Sequence, residues 1–308
     1  MVVPVLLFAV GLVFLIKGGD WFVDGATGIA RRFGLPELLI GATVVSIGTT
    51  LPEVMVSTTS ALSGHGEIAY GNAIGSVICN TALIAAITVA VKPGRVDPKS
   101  LRLPVAFFFT AAAIYAGVAY TTGYFSRAAG IVLLAMFFAY MAATVWQMKS
   151  RSAARPPALL REEGEDSMLK DVVLLLLGAA LIAQALGVPE SVIALTFVAL
   201  GTSLPELVTA ITSLLKGHGA LSLGNVIGAN LFNLVLVSGV SVTLAPFSIP
   251  QGSTIAGRSA SLVLDIPVMF AVMAFLTLPA LKRGRLSRFQ GVALLLIYGA
   301  FCAIQFTI

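Results

Sequence analysis

Ten apolar runs of about 20 residues follow one another along this chain of 308, with little polar sequence between them. A run of that length crosses the ~30 Å hydrocarbon layer of a bilayer as a helix. The runs lie near 2–30, 35–62, 67–91, 101–121, 127–148, 169–186, 188–215, 219–244, 258–280 and 287–307. Backbone inside lipid must satisfy its own hydrogen bonds, which an α-helix does within one segment. Charged residues make up 11% of the chain, against roughly 25% in a soluble domain, so this composition cannot cover a water-facing surface. The expected fold is an all-α integral membrane protein of about ten transmembrane helices, forming one membrane domain over 1–308.

The net charge of +5 could suggest a nucleic-acid partner, but its placement points to the lipid bilayer instead. Sixteen of the 19 Lys and Arg flank the odd-numbered connections, and only Lys17, Arg127 and Arg258 lie elsewhere. The positive-inside rule makes those connections cytoplasmic and puts both termini outside the cytoplasmic membrane. Cys79 and Cys302 lie within apolar runs and form no disulfide or metal pattern. The apolar start at Val2 has no basic leader or cleavage site, so no removable signal peptide is expected. There is no H-E-x-x-H motif and no nucleophile beside a histidine at membrane depth, so no enzyme is expected.

The chain repeats itself. GTTLPE at 48–53 recurs as GTSLPE at 201–206, GHG at 64–66 recurs at 217–219, and GNAIGSVICN at 71–80 recurs as GNVIGANLFN at 224–233. The offset is 153 residues throughout, and 18 of 40 positions match between 41–80 and 194–233. The polar stretch 149–168 separates repeat one (1–148) from repeat two (169–308). Five helices per repeat make the second enter the membrane from the opposite side. Such inverted repeats build transporters with an ion site near the midplane where they meet; a channel is the other use.

Glu53 and Glu206 fall well inside apolar segments. A carboxylate in hydrocarbon costs several kcal/mol, so it faces a cavity, a cation or a partner charge. No Lys or Arg recurs beside either motif. Pro52 and Pro205 cannot donate to the carbonyls of Gly48 and Gly201, and a proline kink alone would explain them. Beside the glutamates, however, freed carbonyls and the hydroxyls of Gly-Thr-Thr and Gly-Thr-Ser on easily unwound backbone suit a hard cation. Spacing of four puts Asn72, Ser76 and Asn80 on one helical face, and likewise Asn225, Ala229 and Asn233. Their amides either ligate an ion or bond a neighbouring helix. Gly71 and Gly75, repeated as Gly224 and Gly228, form the small-xxx-small pattern of close helix packing. His65 and His218 read as turn residues. Asp20 and Asp24, with Lys17, line a vestibule or form a local ion pair. Asp265 has no visible partner, and Trp21 and Trp146 suit interfaces or packing.

Paired G-T-[ST]-x-P-E motifs, each followed by G-N-x-x-G, together with GGDWFVDGATGIARRF at 18–33, resemble the cation/calcium antiporter superfamily, in its prokaryotic sodium/calcium exchanger branch. The resemblance implies ten helices and a midplane site where Na⁺ and Ca²⁺ compete; a monomer without a further cofactor is expected. Glu53 and Glu206 would be the bridging carboxylates, and Thr49 and Thr202 would give carbonyls to Ca²⁺. Thr50, Ser203 and Ser76 would give oxygens to Na⁺, Ser46 and Ala199 would give backbone carbonyls to an outer Na⁺ site, and Asn80 and Asn233 would flank the centre. Ala229 lacks the hydroxyl of its counterpart Ser76, and Val77 stands where repeat two has Asn230. A G-N-x-x-E pattern, expected of proton-coupled relatives, is absent. Alternatives kept open are a Ca²⁺/H⁺ antiporter on the same scaffold and a cation-binding protein or channel without obligatory exchange. Finally, 47 residues separate Leu6 from Glu53 but only 32 separate Leu174 from Glu206. That short 169–186 helix implies asymmetric or impaired gating, because the resemblance makes the first helix of each repeat the sliding gate.

Overall fold

A computed structural model describes residues 2–153 and 202–307. Ala199, Gly201, most of the 149–168 linker and the short 169–186 helix lie outside the described residues. Nine helices run through the remainder. They are α1 (Val2–Arg32), α2 (Glu37–Leu62), α3 (Gly66–Val91), α4 (Pro98–Thr121), α5 (Arg127–Ala153), α6 (Leu204–Leu215), α7 (Gly219–Leu244), α8 (Ser261–Arg283) and α9 (Arg288–Gln305). Among the described residues, seven of these are long and apolar enough to cross a membrane. Boundaries depart from the expected ones by a few residues where caps decide them. Asp97 accepts from the Lys99 and Ser100 amides and, with Pro98 in the first turn, starts α4 three residues early. A capping box between Ser287 and Gln290 starts α9.

The duplication extends to the backbone. In both GHG turns the glycine is left-handed, at φ +86° for Gly64 and +85° for Gly217, and the following histidine leads into the next helix. Any other L-residue would be strained there. π-helical segments begin at Asn80 (Asn80–Ala85) and at Asn233 (Asn233–Val237). Single π turns inside α-helices gather at functional positions.

The connections collect at two ends. At one end Arg95 bridges to Arg285, and Val96 N donates to Gly284 O at 2.9 Å. At the other, β1 (Tyr124–Phe125) pairs antiparallel with β2 (Phe247–Ser248), and β3 (Thr254–Ile255) turns back on β4 (Arg258–Ser259) through Ala256 and Gly257. Trp146, Phe289 and Leu296 are 74%, 75% and 70% exposed on the outer faces of α5 and α9. Apolar surface of this size belongs against lipid rather than water.

Small residues bring the two repeats together. A methyl on Gly41 of α2 would lie 2.8 Å from Asn225 N of α7, and one on Gly228 of α7 would lie 2.6 Å from Ala42 Cα. Gly224 meets the Leu38 backbone in the same way, whereas a methyl on its counterpart Gly71 meets nothing within 4 Å. The repeated glycine motif therefore packs helices in one copy and borders open space in the other. A Gly224→Ala substitution is expected to cost roughly 1–3 kcal/mol by overpacking and to lower the melting temperature of the detergent-solubilised protein by several degrees. Gly71→Ala should leave it within about a degree, and thermal unfolding followed by size-exclusion fluorescence checks both.

Candidate cation site

The glutamates expected at the site are brought together. Glu53 and Glu206 are fully buried, and the charge of Glu206 acts directly on Glu53. None of their four carboxylate oxygens has a hydrogen-bond partner among the described residues. The hydroxyls of Thr202 and Thr49 stand next to Glu53 and Glu206 respectively, each supplied by the other repeat, but outside hydrogen-bond geometry. Two interacting carboxylates buried without hydrogen bonds are strongly unfavourable. A cation between them removes that penalty.

The helices that carry them hold their shape differently. In α2 the backbone stays α-helical from Ser46 through Pro52 to Leu62, and the departure from α geometry comes earlier, as a π-helical turn over Gly41–Val45. The expected unwinding at Gly48 is therefore not observed. A proline removes one donor, and an α-helix with a π turn ending seven residues upstream accommodates that without breaking. In the second repeat the backbone does turn at Ser203, and α6 begins at Leu204 with Pro205 in its first turn.

Polar side chains of α3 and α7 divide into two roles. Asn72 Oδ1 accepts from Thr202 Oγ1 at 3.0 Å, while its Nδ2 donates to Ser57 Oγ at 2.8 Å and to the Glu53 carbonyl at 3.3 Å. Asn225 Oδ1 accepts from Thr49 Oγ1 at 3.2 Å, and its Nδ2 donates to Thr209 Oγ1 at 2.9 Å. Each asparagine thus clasps the motif threonine of the opposite repeat. One turn or two further on, the amides are left open. Among the described residues, Asn80 is buried with neither amide atom bonded, and Asn233 donates to Ala229 O at 3.0 Å but leaves Oδ1 without a partner. Thr50 Oγ1 is likewise buried and unpartnered, while Ser203 Oγ and Ser76 Oγ meet at 3.4 Å. Ser46 Oγ is shared between the carbonyls of Gly41 at 2.7 Å and Asn225 at 2.9 Å. Buried polar groups in proteins are nearly always bonded, so this concentration of free carboxylate, amide and hydroxyl oxygen marks a place built for a ligand.

The chemistry of these donors suits a hard cation. The donor set is oxygen only and carries two negative charges. Among the described residues there is no group of three or more His, Cys, Asp or Glu of the kind that holds zinc or iron.

Several expectations are corrected. Asp20 and Asp24 do not pair with Lys17; both lie 2.6 Å from Lys216 Nζ, which follows α6. Partial burial opposes the charge on Lys216, and its bonds to Asp20 and Asp24 outweigh this and hold its pKa above the usual lysine value. Only the fold reveals this contact, since 192 residues separate Asp24 from Lys216. Asp265 does have a partner, Gln305 Nε2 at 2.6 Å, in the wall of a cavity of about 900 Å³ that opens beside β2 and also borders Gly71. His218 stands at the N-cap position of α7 and meets Glu37 at 2.9 Å, and His65 precedes α3 and meets Glu67 at 3.3 Å, so both are turn residues as expected. Cys79 and Cys302 are free thiols.

Paired buried carboxylates on crossed, duplicated helices define a membrane carrier for hard cations. The profile of the sodium/calcium exchanger protein family matches residues 3–146 and 173–307. The chain belongs to that family. It is 30% identical over 352 residues to the sodium/calcium exchanger MaX1 of Methanosarcina acetivorans, covering 98% of both chains. It is 34% identical over 312 residues to the inner membrane protein YrbG of Escherichia coli K12, covering 92% of each. Among solved structures it resembles the sodium-calcium exchanger NCX_Mj soaked with Na⁺ and Sr²⁺, at a TM-score of 0.81, 31% identity and 98% coverage of both chains.

Removing one buried charge should relieve the empty site. Glu53→Gln or Glu206→Gln is expected to raise the melting temperature of the cation-free protein. The same change should abolish the stabilisation that added Ca²⁺ gives the unsubstituted protein. Thermal unfolding with and without Ca²⁺ measures both effects.

Proposed function

We propose that this chain is a secondary active antiporter that exchanges Na⁺ for Ca²⁺ across the cytoplasmic membrane by alternating access at one midplane site. The observation that carries this reading is the buried pair Glu53 and Glu206, without hydrogen-bond partners among the described residues. Ionised, the pair balances one Ca²⁺ or the equivalent charge in Na⁺, so occupation by one ion excludes the other. In a secondary carrier, mutually exclusive occupation of one site is what couples the two fluxes.

In this reading Glu53 and Glu206 bridge the ion, and Thr49 and Thr202 present backbone carbonyls to Ca²⁺. Thr50, Ser203 and Ser76 present oxygens to Na⁺, and Asn80 and Asn233 flank the centre. Ser46 and Ala199 contribute carbonyls to an outer Na⁺ site. The Asn72–Thr202 and Asn225–Thr49 clasps support these roles, because they hold each threonine in place from the opposite repeat. The architecture proposed is ten helices in two inverted five-helix repeats, 1–148 and 169–308, joined by a cytoplasmic 149–168 linker. Both termini lie outside and the protein works as a monomer. Clustering of basic residues at the Arg95–Arg285 end supports that orientation.

Radioactive calcium uptake into proteoliposomes preloaded with Na⁺ and diluted into Na⁺-free buffer tests the reading. Uptake should require the Na⁺ gradient and vanish in Glu53→Gln and Glu206→Gln. Uptake driven equally well by a pH gradient without Na⁺ would replace Na⁺ with protons as the coupling ion.

A further inference from the structure

Ser76 and Ser203 face each other across the site at 3.4 Å. The offset of 153 residues makes Ala229 and Thr50 the mirror-image pair. Ala229 brings no hydroxyl, and Thr50 Oγ1 is buried without a partner. The next residue, Asn230, replaces the Val77 of repeat one and is completely buried. Its Nδ2 donates to Thr81 Oγ1 at 2.7 Å and approaches Met273 Sδ at 3.2 Å.

The Thr81 hydroxyl donates to Val77 O at 2.7 Å, has Met273 Sδ at 3.2 Å as a second acceptor, and accepts from Asn230 Nδ2. The reverse orientation of the amide would give up the Thr81–Val77 bond to satisfy Oδ1, so the orientation with Nδ2 on Thr81 keeps more hydrogen bonds and is the one assigned. Asn230 Oδ1 is then directed away from Thr81 and Met273, and it has no hydrogen-bond partner among the described residues. Thr81 adjoins Asn80, and Asn230 lies one turn before Asn233. These are the two residues at which the π segments begin and whose amide oxygens are also free.

We propose that Asn230 is a cation ligand of this exchanger, whose Oδ1 supplies repeat two with the neutral oxygen that Ala229 lacks, and that the ion it serves is Na⁺. The inference rests on the exchange reading above. A carboxamide oxygen is a hard, uncharged donor, suited to a monovalent ion that shares the two carboxylates with others. Thr81 is then a positioning residue, holding the amide with its oxygen free.

Equilibrium binding of radioactive Na⁺ to the purified, detergent-solubilised protein tests the proposal. Asn230→Val, which copies repeat one, should weaken Na⁺ binding about tenfold, or about 1.4 kcal/mol. Adding Ala229→Ser, which restores the partner of Thr50, should recover most of that loss. A purely structural role for Asn230 would not be rescued by a hydroxyl at the neighbouring position. Asn230→Asp, which keeps the shape of the side chain, should instead strengthen Ca²⁺ binding and covers the case in which the valine variant does not fold. Unchanged Na⁺ affinity in Asn230→Val, a loss that Ala229→Ser leaves in place, or unchanged Ca²⁺ affinity in Asn230→Asp would each overturn it. Na⁺-driven calcium uptake by the unsubstituted protein is measured alongside. Its failure would refute the transport reading, while Na⁺ binding by the variants would still decide the role of Asn230.

Discussion

Two carboxylates of like charge, Glu53 and Glu206, are fully buried and near enough for one to act on the other, and among the described residues neither has a hydrogen-bond partner. Left alone they repel, and each carries the desolvation penalty of an unpaired ion. The surrounding fold holds them in that position. Gly41, Gly224 and Gly228 let α2 and α7 cross backbone to backbone. Asn72 and Asn225 tie each motif threonine to the opposite repeat. A cation is the element that completes the arrangement, and its binding energy is drawn from the repulsion that the scaffold maintains.

The two halves share a backbone plan without sharing all their chemistry. The GHG turns share a left-handed glycine, and a π segment begins at the equivalent Asn80 and Asn233 in each half. The motif helices do not, since α2 is continuous through Pro52 while the second copy turns at Ser203. Gly71 borders a cavity where Gly224 packs, and Ser76 has a hydroxyl partner where Ala229 has none. A carrier that must release one ion outward and another inward has no need of two identical half-sites, and departures of this kind let the halves specialise.

Much of this was legible in the residues themselves. Apolar runs of membrane-spanning length and the GT[ST]LPE pair located the helices and the carboxylates, because hydrocarbon leaves few reasons to retain a glutamate twice. The division of the asparagines was not legible. A spacing of four puts Asn72 and Asn80 on one face, but only the packed structure shows that Asn72 is consumed by Ser57 and Thr202 while Asn80 remains open. The Lys216 contact with Asp20 and Asp24 joins residues nearly two hundred positions apart, beyond any local pattern. The continuous helix at Gly48 went against the expectation from Pro52, because an isolated proline supplies only a local tendency that helix packing overrides. Asn230 was visible as a departure from Val77, but its weight came from Thr81, whose engaged hydroxyl orients the amide.

Competition between the two ions at equilibrium tests the central claim most directly. Radioactive Ca²⁺ binding to the purified protein should reveal one class of sites. Rising Na⁺ should increase the apparent Kd without reducing the number of sites, and binding should be lost in Glu53→Gln and Glu206→Gln. Ca²⁺ and Na⁺ bound together without mutual displacement, or Ca²⁺ binding that survives both substitutions, would contradict a single shared site between the two carboxylates.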